Sequence, residues 1–197
     1  MTMSEYSLAR TTMLTCHPAI ENPAVQGITA RVGWAHDSAL ALNYTLTGDC
    51  SRLRIPSTRP QARIDGLWQH TCFEMFVSAK DSAAYWEFNF SPSSEWAAYQ
   101  FHNYRNRTSD EERVAPPKIV THRTTDRLEL GARLHLPHSL PIQSLRLALS
   151  AVIEDESGRL SYWALKHAPG KPDFHHPDAF VLEIVPPQRE PTRKENG

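Results

Sequence analysis

The sequence predicts an all-β protein, a β-sandwich of one domain, and three observations carry that prediction. Fifteen prolines are scattered through 197 residues, and a proline in a helix interior removes a donor and strikes the preceding turn, so long helices are disfavoured. Between the prolines lie short runs of period-two alternation, the pattern of strands with one face on a core. Turn-forming clusters separate those runs.

Taken in order, strands are expected at residues 25–33, 39–46, 71–77, 85–90, 96–101, 128–134, 145–153, 161–166 and 179–185. Ser91-Pro92-Ser93-Ser94 divides two aromatic runs and Asp155-Glu156-Ser157-Gly158 divides two more, so both are hairpin turns. Residues 104–117 carry Arg105, Arg107, Asp110, Glu111, Glu112 and Arg113 and end in Pro116-Pro117. Such a long polar connection is expected to be a solvated loop, with a functional loop as the alternative. The domain is placed at 1–185. The tail from Pro186 to Gly197 has no large apolar residue and is expected to be disordered. A chain of this length buries roughly 70% of its unfolded surface, enough for a self-sufficient core.

Twenty-one basic against twenty-two acidic side chains give a formal charge of −1. No sequence-wide field draws such a chain to nucleic acid or an anionic membrane surface. The first twenty residues build no apolar signal-like core, and no run of eighteen apolar residues occurs. Cys16, Cys50 and Cys72 are odd in number, widely spaced and form no C-x-x-C pair, which fits a reducing compartment better than a disulfide framework and gives no signal for structural zinc. A soluble, cytoplasmic protein is the expectation.

Alternation assigns side chains to faces. In residues 85–90, Trp86, Phe88 and Phe90 share the core face, leaving Tyr85, Glu87 and Asn89 opposite. In 71–77, Phe73, Met75 and Val77 match that core, leaving Cys72, Glu74 and Phe76 opposite. If the two strands pair as a hairpin, Glu74, Glu87 and Asn89 gather on one sheet face. Farther on, Arg146, Ser150 and Glu154 lie opposite a leucine-rich row, as do Glu129 and Arg133. One sheet face is therefore expected to carry Glu, Arg and Asn. Antiparallel sheets commonly keep one solvated polar face, but Cys72, Phe76 and Tyr85 are unusual choices for open solvent and favour partial burial.

Of the five tryptophans, Trp34 and Trp86 follow the apolar phase, whereas Trp68, in Gly66-Leu67-Trp68-Gln69-His70, is the candidate platform for a sugar ring. His175 and His176 are adjacent in an extended segment, so they point opposite ways and cannot readily share a metal ion. No dinucleotide, phosphate-loop, hydrolase-elbow, zincin or covalent-haem motif is present. Glu74 and Glu87 across a hairpin would also approach the roughly 5 Å separation of a retaining glycosidase pair, a weak signal shared by any two cross-strand glutamates.

Two blocks carry a resemblance. One runs Asp65-Gly66-Leu67-Trp68-Gln69-His70-Thr71-Cys72-Phe73-Glu74, then Tyr85-Trp86-Glu87-Phe88-Asn89-Phe90-Ser91-Pro92-Ser93, to Trp96-Ala97-Ala98-Tyr99. The other is Ser161-Tyr162-Trp163-Ala164-Leu165 followed by Lys171-Pro172-Asp173-Phe174-His175-His176-Pro177-Asp178-Ala179-Phe180. In these the chain resembles bacterial DOMON-like domain proteins of the MurB-like subset, related to family-nine carbohydrate-binding modules. The resemblance implies a jelly-roll-like antiparallel β-sandwich that binds a small ligand on or near one sheet, with sugars and haem as the ligands of the wider group. Glu74 matches the acidic strand position of the carbohydrate modules, and Phe174, His175, Pro177 and Phe180 match their closing motif. Their preceding aspartates are replaced by His70-Thr71-Cys72, Ser94 stands at a turn site where relatives often carry Gly, and no flavin fingerprint accompanies the MurB-like likeness.

The resulting expectation is a non-catalytic module binding a small molecule, in the first place a sugar, through Trp68, Glu74, Tyr85, Glu87, Asn89, Arg146 and His175. No cofactor or metal is expected. The alternatives are a haem site using a methionine and a histidine, glycoside hydrolysis by Glu74 and Glu87, or a protein partner on the polar face.

Overall fold

The computed structural model describes residues 7–109, 112–141 and 143–187. Twelve strands account for the regular structure of these residues: β1 Ser7–Cys16, β2 Val25–Trp34, β3 Leu40–Gly48, β4 Cys72–Ala79, β5 Tyr85–Phe90, β6 Trp96–Asn103, β7 Asn106–Arg107, β8 Lys118–Arg123, β9 Arg127–Leu134, β10 Leu145–Glu154, β11 Leu160–Ala164 and β12 Leu182–Ile184. Helical structure among the described residues consists of short 3-10 turns at Cys50–Arg52, Leu67–Gln69 and Pro177–Ala179. All strand pairs are antiparallel.

The strands run in the order β7-β6-β5-β4-β10-β11-β1-β2-β3-β9-β8, with β12 beside β10. β1 makes the fold from one layer to the other: residues up to Leu14 pair with β2, whereas Thr15 and Cys16 pair with Ala164 and Trp163 of β11. The first layer is then β8-β9-β3-β2-β1 and the second β7-β6-β5-β4-β10-β11. Between them lies the main core. Ile28, Leu42, Leu46, Phe73, Met75, Phe88, Leu130 and Leu149 are all fully enclosed there. Tyr44 ties the layers together, its ring 5.0 Å from Phe73 and its hydroxyl donating to the Glu74 carbonyl at 2.7 Å.

β1, β7 and β8 were not expected from the sequence. Among the described side chains of β1 only Leu14 is buried, and Met13 is 67% exposed; β8 is an edge strand paired only with β9. Neither presents a clean apolar alternation, so pairing with neighbours decides both. The segment at 179–185 is a strand only over Leu182–Ile184, because a 3-10 turn occupies Pro177–Ala179. The expected disordered tail lies largely outside the described residues.

The turns follow their residues. β5 and β6 close through Ser94, at φ 76°, with the Ser91 N–H donating to the Glu95 carbonyl. Gly48 admits no side chain: at φ 148°, a Cβ there would lie 2.1 Å from the Ala24 carbonyl oxygen.

Candidate functional site

β4 and β5 pair with Glu74 opposite Asn89 and Phe76 opposite Glu87, so both glutamates and the asparagine share the outer face of the second layer, diagonal neighbours across the hairpin. Ser150 of β10 stands opposite Glu74 on its other side. Glu129 and Arg133 do not join them. They lie on β9, in the other layer, so the single polar face read from the sequence divides between two sheets.

That outer face is not open to solvent. Glu74 is 2%, Glu87 5%, Asn89 0% and Ser150 1% exposed. A second, smaller apolar cluster of Phe76, Tyr85, Tyr99, Phe101, Ala179 and Phe180 covers part of the sheet, with Leu67 and Phe174 packed on it. Two irregular segments supply the cover: residues 64–70, held by the Ile64 N–H on the Trp96 carbonyl, and residues 165–181. Between them remains a cavity of about 480 Å³. Its floor includes Glu74 and Glu87, and Trp68, Tyr99, Tyr162, Phe174 and His175 are among its walls. Trp68 keeps 41% of its surface and meets Tyr99 edge-on at 5.8 Å.

The polar groups are wired to one another. The Asn89 side-chain amide donates to Glu87 at 2.7 Å, and the Ser150 hydroxyl donates to Glu74 at 3.2 Å. The Arg105 backbone N–H donates to the Tyr85 hydroxyl, 3.1 Å away, and that hydroxyl is hydrogen-bonded to His175 Nδ1 at 2.8 Å. The other ring nitrogen, Nε2, faces the Glu87 carboxylate at 3.7 Å. Burial, aided by the Arg105 charge, lowers the His175 pKa to about 4, so the ring is neutral at pH 7. Burial likewise pushes the Tyr85 hydroxyl up to about 12. Burial and then the Glu87 charge drive the Glu74 carboxyl well above the usual carboxylate range, against the smaller opposing effect of the Ser150 hydrogen bond.

Asp173 closes the rim. It accepts from the Tyr104 hydroxyl at 2.6 Å, the Arg105 guanidinium at 2.8 Å and the His175 N–H at 3.1 Å. Burial opposes its charge, but the Tyr104 and Arg105 hydrogen bonds outweigh that and hold its carboxyl low. Arg105 and Arg107, at the start of the polar connection after Tyr104, thus line the cavity, with Arg107 lying 4.2 Å over the Tyr99 ring.

Of the residues singled out in the sequence, Trp68, Glu74, Glu87 and His175 line this one cavity, while Asn89 and Tyr85 support its floor and wall. Arg146 does not reach it. Its guanidinium donates to the Phe180 carbonyl at 2.7 and 3.1 Å, in a neighbouring pocket of about 240 Å³ behind His175. There it fixes the covering segment. His176 turns away, its Nδ1 accepting from the Asp178 N–H. Met75 is fully enclosed between the layers, on the opposite face of β4 from Glu74, so it does not pair with His175 as a haem ligand. No group of three or more metal-ligating side chains occurs among the described residues. Tyr99, Arg105, Arg107 and Tyr162 were not anticipated. Tyr99 shares its outward parity with Ala97 and Phe101, so alternation along β6 contained that signal; the others depend on how loops and distant strands meet.

No family model matches this chain, and no curated protein matches it. Solved structures do. A "putative carbohydrate-binding protein" from Bacteroides uniformis ATCC 8492 is similar over 87% of this chain and 84% of its own, at 15% identity and a TM-score of 0.61. A family-nine carbohydrate-binding module from Caldicellulosiruptor kristjanssonii, in complex with cellotriose, is similar over 82% of this chain and 75% of its own, at 16% identity and a TM-score of 0.54. At such identities the likeness is one of fold: an antiparallel β-sandwich shared with carbohydrate-binding proteins.

Proposed function

We propose that the protein is a DOMON-like, non-catalytic module that binds a small carbohydrate in the cavity on the outer face of its second layer. The observation that carries this reading is the pairing, in one space of about 480 Å³, of a polar floor at Glu74 and Glu87 with aromatic walls at Trp68, Tyr99 and Phe174. The volume falls in the range of small-molecule pockets, roughly 300–1,000 Å³. Sugar rings offer apolar C–H faces to aromatic rings and hydroxyls to carboxylates. Trp68 is half-exposed at the mouth, where a ring can stack. Glu87, held by Asn89, is oriented to accept from hydroxyls. The carbohydrate modules that share the fold support the same reading, since one of them holds cellotriose.

Isothermal titration calorimetry against a panel of mono- and disaccharides tests the proposal. A saturable heat is expected for at least one sugar, weakened about tenfold in Trp68→Ala, the scale of one aromatic contact. Absence of binding across the panel, or full affinity in the Trp68→Ala protein, would overturn the proposal.

A further inference from the structure

The segment that carries Trp68 is a thin wall between two spaces. Trp68 and Gln69 border the candidate cavity. On the reverse side Ile64, Gly66, Leu67 and His70 border a second cavity, of about 710 Å³. The 3-10 turn Leu67–Gln69 contains no buried residue. Leu67 packs on the outer apolar cluster but is only partly buried. With open space behind it, the wall is placed less by packing than by the bonds at its two ends.

Upstream, the Ile64 N–H donates to the Trp96 carbonyl at 2.9 Å and the Tyr99 hydroxyl donates to Asp65 at 2.9 Å. Downstream, the His70 N–H closes the turn on the Leu67 carbonyl at 3.1 Å, and its Nδ1 lies 2.7 Å from Glu154 Oε2. Glu154 ends β10, and its side chain is 7% exposed. It is a fixed post. Its other oxygen accepts from the Arg54 guanidinium at 3.1 Å, while its backbone N–H donates to the Thr71 hydroxyl, which in turn donates to the Arg54 carbonyl at 2.7 Å. The His70 side chain is 65% exposed and is not among the residues that line the candidate cavity.

We propose that His70 is a positioning residue: bonded to Glu154 from behind the wall, it presets the Trp68 ring at the cavity mouth and so sets affinity without touching the ligand. A ring ordered before binding does not have to be ordered during it, which tightens the complex with no added contact. The effect on affinity rests on the carbohydrate reading, whereas the pinning of the ring does not.

A double-mutant cycle tests the role. The probes are glucose, galactose, mannose, cellobiose and maltose, and the tightest of them is titrated by calorimetry into the wild type, His70→Ala, Trp68→Ala and the double variant. His70→Ala is expected to lose about threefold in affinity, less than Trp68→Ala because the ring is loosened rather than removed. In the Trp68→Ala background the same change is expected to cost nothing further, since no ring is left to place. His70→Asn, whose amide can bond Glu154 from near the Nδ1 position, is expected to recover most of the loss. Losses that multiply in the double variant, or full affinity in His70→Ala, would overturn the positioning role. A second readout needs no sugar: Trp68 emission, taken as the difference between each protein and its Trp68→Ala counterpart. His70→Ala should shift that emission to the red and open it to acrylamide quenching; an unchanged difference spectrum would overturn the pin. If no sugar binds the wild type, the carbohydrate reading falls and the spectrum alone decides whether His70 holds the ring.

Discussion

On the outer face of the first layer, Arg127 bonds Glu129 at 2.8 Å with their side chains 49% and 33% exposed, and Arg133 reaches Asp37 at 2.6 Å from a comparably open position. On the outer face of the second layer, Glu74 and Glu87 are nearly sealed beneath aromatic rings. From Leu42 to Gly48 the burial of β3 alternates, whereas every residue of β5 is buried. Both faces carry Glu, and alternation along the strand places all of them outward. Cover makes the difference. Where chain lies over the sheet, an acidic side chain loses its water and its ionisation shifts; where nothing lies over it, the same residue forms a solvated ion pair of little energetic weight.

Several substitutions break or sharpen that contrast. The largest effect is expected from Phe76→Ala, which empties an outward-facing site that is 1% exposed. It should cost about 3–5 kcal/mol in urea unfolding, like a residue of the main core; a loss under about 1 kcal/mol would mean that the outer cluster is not packed. Tyr44→Phe removes the hydroxyl that joins the layers and should cost about 1 kcal/mol in the same assay.

The pH dependence of the two cavity groups runs in opposite directions. Glu74 has its pKa raised in the folded protein, so its contribution is intact below its unfolded value near pH 4.3 and is lost as pH climbs toward the folded value. Gln cannot ionise, so thermal melts from pH 4 to 8 should show Glu74→Gln gaining steadily on the wild type. A constant offset across that range would show that Glu74 does not titrate above its ordinary value. His175 has its pKa lowered to about 4, so its contribution is present above about pH 6.5 and is lost as pH falls through the folded value. His175→Gln should flatten the wild-type loss of melting temperature between those limits. The smallest effect is expected on the open face. Arg127→Ala should change stability by less than about 1 kcal/mol, and the change should fade in high salt.

Much of this was legible in the sequence. The phase of Trp86, Phe88 and Phe90 against Phe73, Met75 and Val77 put the core on one side and Glu74, Glu87 and Asn89 on the other, and the hairpin register brings those three together. Burial of the outer face was signalled more faintly, by Cys72, Phe76 and Tyr85 at outward positions. The strands β1 and β8 were illegible because a strand that buries few side chains leaves no apolar period. Arg146 shows the limit of parity. It is outward as expected, yet its bond to the Phe180 carbonyl depends on where the covering segment lies. The split of Glu129 and Arg133 from the other polar residues is a matter of topology, because alternation gives the face of a strand and not the sheet to which it belongs.

By itself the sequence determined which side of each strong strand faces the interior, since a period of two is a local property of the backbone. Tertiary structure decided which outer face would be covered. The segments bearing Trp68 and His175 have no repeating pattern and meet only because the layers bring β4, β5 and β10 beneath them. A cavity formed by chain segments far apart in sequence is set by how strands are ordered and paired, and the same is true of the desolvation that shifts Glu74 and His175.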